Sequence, residues 1–234
     1  MCGRYTLFAP RTDIEERFDA AFDFDFRPRY NAAPGRSLPV ITGEAPDRIQ
    51  RMEWGLVPSW ADDRSEYEFI NARSETAAEK PSFRAAYERR RCLVPADGFY
   101  EWTDADGERR PYRVRLPDDA LFAMAGLYER WRPPQRQAGL GEFGDAGAGA
   151  DGREAPVVET FAVLTTEPND VVADLHHRMA VVLDPDEEAT WLRGDADEVR
   201  DLLDPYDGPM ETDRVSTAVN DPGNDSPAVL EADG

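Results

Sequence analysis

Leu121-Phe122-Ala123-Met124-Ala125-Gly126-Leu127 and Thr160-Phe161-Ala162-Val163-Leu164 decide how this chain is put together. Both are short apolar runs bounded by turn-forming residues, the pattern of strands buried in a sheet. The stretch from Arg132 to Glu154 between them is rich in Pro, Gly, Ala and Gln and carries too little bulk to pack. It reads as a flexible surface insertion spanning about 132–156, not as a domain boundary. The two apolar runs are therefore expected to pair across it, which places both halves of the chain in one core.

Working outward, further strands are expected at Arg4 to Phe8, Leu38 to Thr42, Arg51 to Leu56, Arg91 to Pro95, Tyr112 to Leu116 and Met179 to Leu183. Helical patterns are fewer. Thr12 to Phe18 begins with a capping pair, Thr12 and Glu15. Ser74 to Lys80 and Pro81 to Arg89 form a helical region broken by Pro81. Val171 to Leu175 is a single turn, and Glu187 to Leu192 and Ala196 to Leu203 follow acidic residues. Strands and helices do not alternate, so the expected class is α+β: a single domain with a largely antiparallel, barrel-like β-sheet flanked by short helices. That domain covers residues 1–220, and the polar residues 221–234 read as a partly ordered tail.

The 234 residues suffice for a substantial core. No apolar run approaches the roughly eighteen residues of a membrane span, and Cys2-Gly3-Arg4 does not resemble a leader, so a cytoplasmic protein with no membrane partner is expected. Cys2 and Cys92 are read as free thiols. Acidic residues outnumber basic ones 48 to 27, giving a formal charge of -21. Such a charge argues against DNA, whose phosphates attract Lys and Arg. However, Lys80 is the lone lysine and the acids gather in turn-like stretches such as 184–188 and 195–198. This is the pattern of a halophile's protein, in which a hydrated carboxylate surface maintains solubility. At about 1 M salt the Debye length is about 3 Å, and distant repulsion between protein and DNA fades. Local arginines then matter more than net charge.

Cys2 carries the most specific chemistry. Removal of Met1 would leave an α-amine and a thiol on one residue, both with nucleophilic fractions near neutrality. Such a 1,2-aminothiol condenses with an aldehyde, first to a Schiff base and then to a five-membered thiazolidine. Taken alone, a cysteine at position 2 is what chance supplies, and its neighbours give it weight. Asn71 in Asn71-Ala72-Arg73-Ser74-Glu75 follows apolar Phe69-Ile70, where a strand end delivers side chains to a site or simply turns into a helix. Its amide could orient the amine, and Arg73 could grip a phosphate. Glu101 lies between aromatics in Gly98-Phe99-Tyr100-Glu101-Trp102, which either desolvates the carboxyl and raises its pKa or leaves it facing solvent from a strand. His176 and His177 are the only histidines. With two distant cysteines they form no metal-ligand spacing, and one of them is better read as a proton carrier. Neither a metal nor a cofactor is expected.

Six segments in order, Met1-Cys2-Gly3-Arg4-Tyr5, Tyr30-Asn31-Ala32-Ala33-Pro34, Trp54-Gly55-Leu56-Val57-Pro58, Asn71 to Glu75, Gly98 to Trp102 and His176-His177-Arg178-Met179, together resemble the SOS response-associated peptidase (SRAP) family, whose members include abasic-site processing proteins. The resemblance runs to about Val215. It implies a role in the response to DNA damage, a barrel-like mixed fold, and a cleft for single-stranded DNA and single-strand/duplex junctions. It also implies that Cys2 is the covalent nucleophile, Asn71 positions it, Glu101 serves as acid and base, and His176 assists the Schiff-base chemistry. Arg4, Arg73 and Arg178 match phosphate contacts, and Asn31, Pro34 and Trp60 match the DNA path. Ala180 departs from the family, which usually has proline there. The activity expected is covalent crosslinking of Cys2 to an abasic sugar by a monomer, with self-removal of Met1 as a companion act. The alternatives are a thiol peptidase built on Cys2, Glu101 and His176, and a non-catalytic DNA-binding scaffold.

Overall fold

The computed structural model describes residues 2–105, 107–133 and 156–232. The bulk of the expected insertion therefore lies outside the described residues. Among the described residues there are fourteen strands: β1 (Tyr5–Leu7), β2 (Ala21–Phe22), β3 (Arg29–Ala32), β4 (Ser37–Thr42), β5 (Ala45–Trp54), β6 (Asn71–Arg73), β7 (Arg91–Ala96), β8 (Gly98–Ala105), β9 (Glu108–Arg115), β10 (Phe122–Trp131), β11 (Val158–Thr166), β12 (Met179–Ala180), β13 (Val182–Leu183) and β14 (Glu211–Arg214). Five short helices accompany them: α1 (Arg11–Phe18), α2 (Ser74–Ala77), α3 (Arg84–Arg89), α4 (Asp170–Ala173) and α5 (Glu188–Arg193).

The expected pairing across residues 132–156 is present. β10 and β11 run antiparallel with Gly126 opposite Val163 and Leu127 opposite Ala162. On its other edge β10 pairs with β7, β7 with β4, and β4 with β5. A short parallel contact between β5 and β11, Thr160 beside Glu53 and Phe161 beside Trp54, closes these five strands into a barrel. Closure removes both edges and explains why nearly every residue of β7 and β10 is buried, with no polar face. Trp54, Phe122, Met124, Leu127 and Phe161 fill the resulting core. The domain is α+β, as expected.

A second sheet in the order β14-β9-β8-β1-β3 carries Asn31 on β3 and Glu101 on β8. β7 passes into β8 through a bend at Asp97-Gly98. The buried Asp97 carboxylate accepts from the amides of Phe8 (2.6 Å) and Ala9 (3.0 Å) and faces the buried Arg113 guanidinium at 3.3 Å. A Cβ at Gly98 would lie 2.5 Å from the Arg113 side chain, so only glycine permits this crossing.

Several local expectations differ from the structure. α1 begins after Pro10 with no side-chain cap, because Glu15 instead accepts from the Phe22 amide at 2.9 Å and ties the helix to β2. Residues 196–203 form turns and one 3-10 segment (Asp201–Leu203), without the expected helix. The C-terminal stretch is packed down: Val219 and Val229 are buried, and Asp225 accepts from the amides of Tyr30 (2.7 Å) and Asn31 (3.0 Å) and pairs with Arg29. Among the described residues no helix is long and apolar enough to cross a membrane.

Candidate active site

Cys2 precedes β1, and Glu101 lies on the neighbouring β8, two residues beyond the Tyr5–Phe99 pairing. Cys2 is wholly buried, its Sγ 3.9 Å from the Arg4 carbonyl. Burial, reinforced by the charge of Glu101, pushes its thiol well above the ordinary range, so in the unprocessed chain the thiol is protonated. Asn71, at the start of β6, donates from Nδ2 to the Cys2 carbonyl at 2.9 Å. It thereby joins the barrel, through the β6–β11 pairing, to the chain's beginning.

Glu101 is 1% exposed, and burial raises its pKa to about 7, with Arg109 opposing part of the rise. Such a carboxyl can give or take a proton near neutrality. The desolvated reading of Glu101 therefore holds, on a strand. His176 follows α4. The Arg178 amide donates to its Nδ1 at 3.0 Å, and burial lowers its pKa, which keeps the ring neutral at pH 7. His177 stacks on it with ring centroids 4.2 Å apart but is itself exposed.

Gly3, Arg4, Glu101, Trp102, Arg109, His176 and Asn220 line one cleft of about 580 Å³. Arg109, Trp102 and Asn220 had not been singled out in the sequence. Their available signal was the Arg109-Arg110 pair in a chain whose acidic residues outnumber its basic ones 48 to 27, brought beside Glu101 by the β8–β9 hairpin.

The residues matched to DNA contacts divide into two groups. Arg73 and Trp60 are exposed. The Arg73 side chain forms no ion pair or hydrogen bond among the described residues, and Trp60 is 51% exposed, edge-on to Tyr67 at 5.0 Å and donating to the Pro81 carbonyl. Pro34 is half-buried in the turn that follows β3. Asn31 and Arg178, by contrast, face inward. The Asn31 amide donates to the carbonyls of Val219, Asp221 and Asn224 at 3.2, 3.0 and 2.9 Å, and its oxygen accepts from Arg4. Arg178 is 8% exposed and engages both Glu75 oxygens and the Thr165 carbonyl. Arg4 lines the cleft, yet three of its N–H groups point at Asn31, Val219 and Asn220. Among the described residues no cluster of His, Cys, Asp or Glu could hold a metal.

The family model described as SOS response associated peptidase (SRAP) matches residues 1–222. The chain belongs to the SRAP family. Abasic site processing protein YoqW of Bacillus subtilis is 39% identical over 242 residues, covering 99% of this chain and 100% of that one. Abasic site processing protein HMCES of Gallus gallus is 31% identical, over 88% of this chain and 66% of its own. A crystal structure of a protein from Bacteroides thetaiotaomicron superimposes over 100% of both chains with a TM-score of 0.83 at 26% identity. The SRAP fold is thus shared along the whole chain.

Proposed function

We propose that this protein processes abasic sites, bonding Cys2 covalently to the ring-opened sugar of single-stranded DNA once Met1 has been removed. The observation that carries the proposal is a cleft of about 580 Å³ lined by Glu101 and His176 and by Gly3, directly after the buried Cys2, whose carbonyl Asn71 holds at 2.9 Å. The relatives' names support the processing of abasic sites.

The steps balance with these groups alone. The freed α-amine attacks the sugar aldehyde, and the carbinolamine loses water to form a Schiff base. Glu101, half-protonated near neutrality, supplies the proton to the departing hydroxyl. Neutral His176 takes the proton that the nitrogen gives up. The Cys2 S–H then adds across the C=N bond, sulfur to carbon and hydrogen to nitrogen, closing a thiazolidine with net loss of one water. Because the proton passes from sulfur to nitrogen within this step, closure does not require a thiolate that is stable at rest. A cysteine peptidase requires the opposite, a thiolate stabilised by its surroundings, and burial here disfavours one. The sugar of an abasic nucleotide in a single strand reaches the cleft without the cost of opening a duplex. The protein acts as a monomer, with Arg73, Trp60 and Pro34 along the strand's path. Its acidic surface is suited to high salt, where screening removes long-range repulsion from DNA.

The test compares single strands carrying a true abasic site, an aldehyde-free tetrahydrofuran analogue, or no lesion, each mixed with wild-type protein and with Cys2→Ala. A band that survives denaturation with the true abasic strand and wild-type protein only supports the proposal. Equal yield from Cys2→Ala overturns it.

A further inference from the structure

The cleft has seven lining residues, two of them arginines, Arg4 and Arg109. Arg4 is largely occupied by protein oxygens, and Arg178, the third arginine near His176, is buried against Glu75. Arg109 differs from both. It is exposed, and among the described residues its guanidinium forms no hydrogen bond or ion pair, not even with the carboxylate of Asp104, the residue its backbone pairs with across the hairpin. Its guanidinium carbon lies over the Trp102 ring, 5.0 Å from the centroid. That ring is itself anchored, because Trp102 Nε1 donates to Asn220 Oδ1 at 2.7 Å. A guanidinium lying on an aromatic face keeps its N–H fork directed outward, where it can meet two oxygens of an anion at once.

We propose that Arg109, held on the Trp102 face, is the phosphate clamp of this cleft, binding the anionic oxygens of a phosphodiester that flanks the abasic sugar. This rests on the reading of DNA as substrate and adds a residue to it. A sugar bonded to Cys2 brings its neighbouring phosphates to the cleft wall, where no other arginine of the cleft has its fork so fully available. The same positive charge acts on the chemistry, since Arg109 favours the ionised form of Glu101 and the neutral form of His176. Filling the clamp with a phosphate offsets that charge and favours protonated Glu101, the form that donates to the carbinolamine. The clamp thus couples docking of the strand to readiness of the acid. The titratable and charged groups around Glu101 in this argument are the amino terminus, Cys2, His176, Arg4 and Arg109.

The test is a binding cycle in which the covalent step cannot occur. Strands carry the tetrahydrofuran analogue, with the two flanking linkages either ordinary or replaced one at a time by neutral methylphosphonate. Wild type, Arg109→Ala and Arg109→Lys are titrated with each across a salt series. On the ordinary strand, Arg109→Ala is expected to weaken binding roughly five- to tenfold and to reduce the slope of log K against log salt by about 0.7, one single-strand phosphate contact. Arg109→Lys is expected to retain the slope while losing part of the affinity. On the strand with the contacted linkage neutralised, wild type weakens and Arg109→Ala adds nothing further. An equal loss on charged and neutral strands, or no loss on either, overturns the clamp. The covalent reading is scored separately by wild-type adduct on the true abasic strand. Linkage-dependent binding without adduct would sink the crosslinking proposal and leave the clamp standing.

Discussion

Glu101→Gln is expected to make the protein more stable and less active, and the gain should depend on pH. Glutamine preserves the shape of the side chain and stays neutral. The Glu101 carboxyl has a pKa of about 7 in the fold against 4.5 in an open chain, because burial penalises its charge. At pH 4.5 and below, the folded form holds its proton and little penalty applies. As pH rises from 4.5 to about 7, the unfolded chain releases that proton while the folded form keeps it, so stability falls. The loss is complete above about 7. At about 1.4 kcal/mol per pKa unit the full difference is roughly 3 kcal/mol. Urea unfolding of both proteins at pH 5 and pH 8, at one salt concentration, measures it. Asp97, Glu188 and His176 also have displaced pKa values, but they are common to both proteins and cancel in the difference. The expected result is a Gln variant more stable by about 1 kcal/mol at pH 5 and by about 3 kcal/mol at pH 8, with adduct formation slowed by about 100-fold or more. A stability difference that does not change with pH would refute the reasoning, since the carboxyl would then be as easily ionised in the fold as outside it.

Asn71→Ala should slow adduct formation about tenfold, by freeing the Cys2 carbonyl, while leaving strand affinity nearly unchanged in a binding titration. Asn31→Ala leaves three carbonyls of the C-terminal segment without their donor and should cost about 1 to 3 kcal/mol in urea unfolding, with residues 216–230 the first to lose hydrogen-exchange protection. Arg73→Ala and Arg178→Ala should separate cleanly. The first should weaken DNA binding and lower the salt slope by about 0.7 with no change in melting temperature. The second should lower the melting temperature, because it strips the buried Thr165 carbonyl and Glu75 of their partner.

The sequence made legible those features that rest on local pattern. β10 and β11 were readable as partners because each is an apolar run bounded by turns, and only one packable core could accept both. Cys2, Asn71, Glu101 and His176 stood out as candidates because each lies in a distinctive short segment. The parallel contact of β5 with β11 was not readable, since it joins segments more than a hundred residues apart and adds no periodicity to either. The β8–β9 hairpin was hidden by its polar outer half, where Thr103, Asp104, Arg109 and Arg110 face one another. Asn31 and Arg178 are polar residues whose side chains are directed inward by partners elsewhere in the chain. Sequence pattern shows a polar residue and cannot show which carbonyls it meets. The tail illustrates the same point: two apolar residues, Val229 and Leu230, packed with Val219 of the domain, and one carboxylate, Asp225, hold it down within a stretch otherwise polar enough to read as loose.

The most direct test of the central claim is the intact mass of the adduct formed with a single-stranded abasic oligonucleotide, measured before and after borohydride treatment. The account predicts the mass of the protein without Met1 plus the DNA, less one water, and no uptake of hydrogen on reduction, because a thiazolidine has no C=N bond to reduce. An adduct that retains Met1, or one that borohydride converts to the reduced amine, would contradict ring closure by the Cys2 thiol.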